Sequence, residues 1–162
     1  MGKKIVITGG IGYIGTELCK IYSGYSWNDE IIVIDNRFIS ERVNQLRNWN
    51  MNFIHGDILD KDLIKKHCQD ADVVHHLAGI TAVPRVKSEA NEEKEKEIER
   101  VAKEGTQNIL DVISDKCKIV MPSTHVVYEG MKDVQEDILE NETTCPISVS
   151  YTHLRAHETS QH

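Results

Sequence analysis

The sequence predicts an α/β fold, a doubly wound parallel sheet with helices on both faces. Three observations carry that prediction. Short apolar runs recur at residues 4–7, 31–35, 51–55, 71–77 and 118–122. Stretches with helical spacing of apolar residues separate them. The first run leads straight into a turn with glycines at a three-residue spacing, Gly9, Gly12 and Gly15. Continuous apolar strands alternating with helices imply strands buried on both faces. Such strands are parallel and are joined by right-handed crossovers.

Each element has its own signal. Lys4-Ile5-Val6-Ile7 reads as a buried strand. Behind the glycine turn, Ile14, Leu18, Ile21 and Tyr22 recur at helical spacing and are expected to form the inward stripe of a first helix. Ile31-Ile32-Val33-Ile34-Asp35 is a second strand ending in an acid. A helix follows from Ser40, with Val43 and Leu46 inward. Met51-Asn52-Phe53-Ile54-His55 is a third strand, closed by Gly56-Asp57. Asp60 suits the N-cap of a short helix carrying Leu63 and Ile64. The run from Ala71 to Leu77 reads as the fourth strand, and Pro84 marks a loop. A long helix is expected over residues 89–114, with Ile98, Val101, Ala102, Ile109, Val112 and Ile113 buried. Its charged run from Glu92 to Glu97 reads as a solvated face, braced by i,i+4 pairs such as Glu99 with Lys103. Lys118-Ile119-Val120-Met121-Pro122 is the fifth strand.

Composition narrows the partners. At 162 residues the chain is sized for one domain with a substantial core. A formal net charge of −7 argues against nucleic acid, whose phosphates demand a basic surface. Cys19, Cys68, Cys117 and Cys145 lie far apart with no CxxC pair. That spacing suggests neither zinc nor a disulfide framework, and a reducing, cytoplasmic location is expected. There is no apolar stretch of signal or membrane length, and Gly2 lacks the Ser or Thr of a myristoylation signal, so no membrane partner is expected. His75 and His76 are adjacent, so on a strand they face opposite sides. They are expected to pack or support rather than to share a metal.

Strand, glycine turn and helix in that order form an anion-binding device. A helix N-terminus presents N–H groups without intrahelical partners and a partial positive charge. Glycines let the backbone approach a pyrophosphate closely. Asp35 stands 20 residues beyond Gly15, at the end of the second strand. A carboxylate there accepts hydrogen bonds from an adenosine ribose and repels a 2′-phosphate, which favours NAD over NADP. No Gly-Lys-Ser/Thr is present, which disfavours a P-loop nucleotidase.

Six ordered blocks give this Rossmann pattern a family likeness. They are Thr8-Gly9-Gly10-Ile11-Gly12-Tyr13-Ile14-Gly15, Ile34-Asp35-Asn36, Gly56-Asp57-Ile58 and His76-Leu77-Ala78-Gly79, then Gly105-Thr106-Gln107-Asn108-Ile109-Leu110, and Pro122-Ser123-Thr124-His125-Val126-Val127-Tyr128. Over residues 4–148 the chain resembles the extended short-chain dehydrogenase/reductases, which include NAD-dependent nucleotide-sugar epimerases and dehydratases. The resemblance implies that Gly9, Gly12, Tyr13, Ile14 and Gly15 hold the cofactor's pyrophosphate end, with Asp35 and Asn36 at the ribose. It implies that Asp57 and Ile58 contact the adenine, and that Leu77, Ala78 and Gly79 pass near the nicotinamide. It places Thr124 where the family has a Ser or Thr that hydrogen-bonds the substrate hydroxyl. Ala102 stands where the family usually has Asn, a departure from the pattern. The resemblance also implies a homodimer built on the long helix, and a nucleotide-sugar substrate. Two other readings stay open: a reductase or dehydrogenase of a different hydroxyl or keto substrate, and a non-catalytic dinucleotide sensor.

The family's catalytic Tyr-x-x-x-Lys helix is expected soon after Thr124. The chain offers Tyr151-Thr152-His153-Leu154-Arg155, one residue out of register with Pro146-Ile147-Ser148, and with Arg in place of a compact, tunable Lys. The eleven residues from Val149 to Thr159 resemble one translated frame of a transposase-type sequencing adapter. Residues 149–162 therefore read as a non-native tail, and residues 1–148 as an incomplete NAD-binding domain. The catalytic Tyr and Lys, further strands and a substrate domain are expected to lie beyond. The fragment itself is expected to bind dinucleotide weakly and to be inactive.

Overall fold

The computed structural model describes residues 2–25, 28–80 and 92–123. Among these residues five parallel strands alternate with four helices: β1 (Lys4–Thr8), α1 (Tyr13–Tyr25), β2 (Glu30–Asp35), α2 (Ser40–Asn48), β3 (Asn52–His55), α3 (Lys61–Cys68), β4 (Val73–His76), α4 (Glu92–Leu110) and β5 (Lys118–Val120). The strand order is β3-β2-β1-β4-β5. The order runs outward in both directions from β1, as in a doubly wound sheet.

Alternation along the strands divides the core in two. Val6, Ile32, Ile34 and Val74 pack with Ile64 and Cys68 of α3 and Ile109 of α4. Ile5, Ile7, Ile31 and Val33 face the other way, onto Cys19 of α1 and Leu46 of α2. The two layers follow from the period-2 strand, whose neighbouring side chains point to opposite faces. Each layer is built almost entirely of aliphatic side chains and thiols. The Cys19 and Cys68 thiols are pushed up to about 12 by burial, so both act as small hydrophobes.

Most element expectations hold, with Val43 and Leu46 buried and the Asp60 carboxylate accepting from the Asp62 and Leu63 amides. Three differ. The inward face of α1 is centred on Gly15 and Cys19, with Leu18 and Tyr22 half-buried, whereas Ile14 and Ile21 are 61% and 58% exposed. Gly15 must lie against the glycine turn, and that contact rotates the helix away from the simple apolar stripe. The long helix ends at Leu110 rather than near 114. Val112 and Ile113 still pack on the core from the following turn, where both amides bond to the Ile109 carbonyl. Strands β3, β4 and β5 are shorter than their apolar runs, β5 stopping before Pro122, which has no N–H for a ladder. The expected start of the long helix at residue 89, Pro84, Cys145 and the tail from 149 to 162 lie outside the described residues. Among those described, no helix is long and apolar enough to cross a membrane.

The adjacent histidines separate as strand geometry requires. His76 is buried between β1 and α4, while His75 meets α1, its Nε2 2.7 Å from the Tyr22 hydroxyl. Burial, and then the Lys118 charge, lower the His75 pKa below its ordinary 6.5. A lowered histidine pKa means that the unfolded chain takes up the proton first. Stability is therefore full above about pH 6.5 and falls as the pH drops through and below that value. His67, lowered by burial and by Lys66 and Lys4, acts in the same direction. Thermal melting between pH 7.5 and 5.5 is expected to show this decline, and His75→Phe is expected to flatten it. An equally steep acid limb in that variant would remove His75 as a cause.

Candidate functional site

The carboxyl ends of β1 to β4 open into one cleft of about 780 Å³. It lies where β1 separates β2 from β4, the place at which chain direction switches and ligands settle in open α/β sheets. Its floor is the glycine turn. Gly9 has φ +70°, and a Cβ there would stand 2.6 Å from the Ala78 amide nitrogen. A Cβ at Gly15 would stand 2.5 Å from the Gly9 carbonyl oxygen. Both positions require glycine for close backbone approach, between the turn and the loop after β4 in one case and between the turn and α1 in the other.

This packing aims the start of α1 into the cleft. The Gly12 carbonyl accepts the Thr16 amide at 3.0 Å, closing the first turn. The amides of Tyr13, Ile14 and Gly15 precede that bond and have no intrahelical acceptor. Tyr13 and Ile14 are the exposed apolar side chains at this helix end, and both line the cleft.

The second wall is the end of β2. The Asp35 side chain is only 3% exposed. One carboxylate oxygen accepts the Ile11 amide of the glycine turn at 3.2 Å. The other accepts the Arg37 amide at 3.0 Å and lies 3.3 Å from the Arg37 Nε. Asp35 is thus both a clamp on the turn and the partner of an arginine that is 56% exposed. Asn36 donates to the Asp57 carboxylate at 2.9 Å, joining the β2 and β3 loops. The other Asp57 oxygen accepts the Leu59 amide, and Ile58 sits beneath, held against Gly105 of α4.

All twelve residues expected at the pyrophosphate, ribose, adenine and nicotinamide positions line this single cleft. Thr124 lies outside the described residues. Sequence reasoning missed Arg37, Arg42 and Arg100, which add three cations to the lining, and Glu97 and Val101 on α4. Arg42 also donates to the Ile11 carbonyl of the turn. Arg37 carried a readable signal, two residues past an acid at a strand end. Arg42 and Arg100 had none, because helix arginines look alike until the sheet order sets their direction.

Residues 6–159 match the 3-beta hydroxysteroid dehydrogenase/isomerase family. The chain belongs to that family. The extended short-chain dehydrogenase/reductase likeness is thereby borne out, together with its doubly wound fold. Over 154 residues the chain is 32% identical to the CDP-paratose 2-epimerase of Salmonella typhi, covering 88% of this chain and 43% of the relative. It is 31% identical over 142 residues to the UDP-N-acetyl-alpha-D-glucosaminuronate decarboxylase of Bacillus cytotoxicus, covering 85% and 41%. Among solved structures, a UDP-glucuronic acid 4-epimerase variant from Bacillus cereus, in complex with a fluorinated UDP-glucuronic acid and NAD, aligns with a TM-score of 0.73 at 26% identity. That alignment covers 97% of this chain and 52% of the epimerase. A UDP-glucose-4-epimerase from Stenotrophomonas maltophila with bound NAD gives a TM-score of 0.77 at 18% identity, covering 98% and 48%, and supports the fold. The chain spans about half the length of the curated relatives it matches.

Proposed function

We propose that the chain is the NAD-binding part of an enzyme that epimerises or dehydrates a nucleotide-linked sugar. The observation that supports this best is the convergence of the glycine turn, the α1 amides, Asp35 and the Leu77-Ala78-Gly79 loop on one cleft. The nucleotide-sugar enzymes among its relatives support the proposed substrate class.

The residues present fit a dinucleotide. Glycine at positions 9 and 15 lets the turn pack against the loop after β4 and against α1, and this packing aims the first-turn amides of α1 toward a pyrophosphate. Asp35 accepts from the ribose hydroxyls once they displace the exposed Arg37 guanidinium, an exchange that costs little because exposed ion pairs are weak. Asp57 and Ile58 border the adenine. When bound, the nicotinamide supplies the hydride acceptor and donor. Thr124 orients the substrate hydroxyl, and a tyrosine beyond Ser148 exchanges its proton.

Three expected results follow from this reading. The full-length protein, read from unamplified genomic DNA, continues past Ser148 into a Tyr-x-x-x-Lys helix and forms a homodimer. It converts a UDP-, CDP- or dTDP-sugar to its epimer or keto sugar, as followed by NMR, whereas the 162-residue chain does not. Turnover by the shorter chain, or oxidation only of a non-sugar hydroxyl by the longer one, would contradict it. The second outcome is the alternative that the family's own name suggests, a dehydrogenase of another hydroxyl substrate. Finally, Arg37→Ala in the full-length protein is expected to hold NAD as well as the parent, or up to about fivefold tighter, and to weaken NADP. Stronger NADP binding in that variant would exclude the exchange at Asp35.

A further inference from the structure

Behind the cleft, His76 joins β1, β4 and α4 through two buried threonines. The Thr106 hydroxyl lies 2.6 Å from the carbonyl oxygen of Ala102, one helical turn back. A carbonyl can only accept, so the Thr106 proton is committed there. Toward His76 Nε2, 3.1 Å away, the Thr106 oxygen is then the acceptor, and Nε2 carries the ring proton. In a neutral ring, His76 Nδ1 is then the acceptor for the Thr8 hydroxyl at 2.8 Å. The Thr8 oxygen in turn accepts the Ala78 amide at 3.3 Å. Thr8 is fully buried, and His76 and Thr106 are each 4% exposed, so water cannot readily substitute for a misdirected link.

We propose that His76 is a positioning residue for the cleft, fixed as its neutral Nε2–H tautomer by this one-way chain of hydrogen bonds. The inference rests on the cleft being a dinucleotide site. Both ends of the chain reach the lining. At one end Ala78 lies against the glycine turn, where a Cβ on Gly9 would clash with its amide. At the other, Thr106 follows Gly105, whose α-carbon seats Ile58. The tautomer therefore sets how far the loop after β4 and helix α4 stand from the glycine turn. The bond from Thr106 to Ala102 uses the backbone carbonyl and so does not depend on the side chain at position 102.

The test uses 15N-histidine-labelled full-length protein and NAD as the probe. The unaltered protein without ligand is expected to show a pyrrole-like Nε2 and a pyridine-like Nδ1 at His76. Thr106→Val is expected to mix the tautomers and weaken NAD binding about tenfold, and Thr106→Ser to restore both. A pyrrole-like Nδ1 in the unaltered protein would overturn the proposal, and that measurement needs no variant to fold. So would a Thr106→Val protein with unchanged nitrogen shifts and unchanged NAD affinity. Failure of the unaltered protein to bind NAD would overturn the proposed function instead, leaving the tautomer to be read from the shifts.

Discussion

The full-length protein carrying Gly15→Val is expected to lose NAD binding by more than about 100-fold, the largest effect of any single substitution in the cleft. A Cβ at this position would lie 2.5 Å from the Gly9 carbonyl oxygen and 2.6 Å from the Gly10 α-carbon. Both obstacles are backbone, so neither can rotate aside. Helix α1 must lift off the turn, and its first amides then no longer point at a pyrophosphate held on that turn. The loss combines misaligned charge-assisted hydrogen bonds, each worth roughly 1.5–3 kcal/mol, with strain of about 1–3 kcal/mol from forced packing. Gly24, nine residues further along the same helix at the end away from the cleft, is the control. A Cβ there meets nothing within 4 Å, and Gly24→Ala is expected to leave NAD affinity unchanged while stabilising the fold by up to about 1 kcal/mol. Titration calorimetry with thermal melting of both variants separates the effects. Equal affinities in the two would contradict the role given to the turn.

Asp35→Ala carries the second large effect, because one buried carboxylate holds two things. Removing it leaves the Ile11 amide without its acceptor, at about 1–3 kcal/mol of stability. It also removes the proposed partner for a ribose, and NAD binding is expected to weaken by roughly 10- to 100-fold. Asp35→Asn separates the two roles. The amide oxygen can still accept from Ile11, while the new NH2 group faces the Arg37 amide, so melting should recover only part of the way toward the parent. The charge is absent, so discrimination against a 2′-phosphate should collapse, with Arg37 and Arg42 free to attract it. A variant Asn that keeps the parent's preference would show that Asp35 is only a structural clamp.

The two variants also mark what the sequence made legible. The order strand, glycine turn, helix and terminal acid could be read from residues 4–35 because it depends on local chemistry: apolar runs, glycine spacing and one carboxylate. Asp60 was readable as a cap for the same reason, since its acceptor serves amides two and three residues away. The orientation of α1 was not. Ile14 and Ile21 made a better apolar stripe than Gly15 and Cys19, and only the contact of Gly15 with the turn decides against them. Long-range partnerships were equally hidden. Nothing in the sequence says that Asp35 bonds the Ile11 amide across 24 residues, or that His76 bridges Thr8 and Thr106 across 68 and 30. Such pairs are set by strand order and register, with Thr8 opposite His76 in the sheet. The end of α4 at Leu110 was missed because apolar spacing continues past it while the backbone turns.

In the proposed NAD site the preference for NAD over NADP is set at Asp35. The most direct measurement is isothermal titration of the full-length protein with NAD and, separately, with NADP. One NAD is expected to bind per chain, with NADP at least about tenfold weaker. Tighter binding of NADP, or no binding of either dinucleotide by a folded full-length protein, would contradict it.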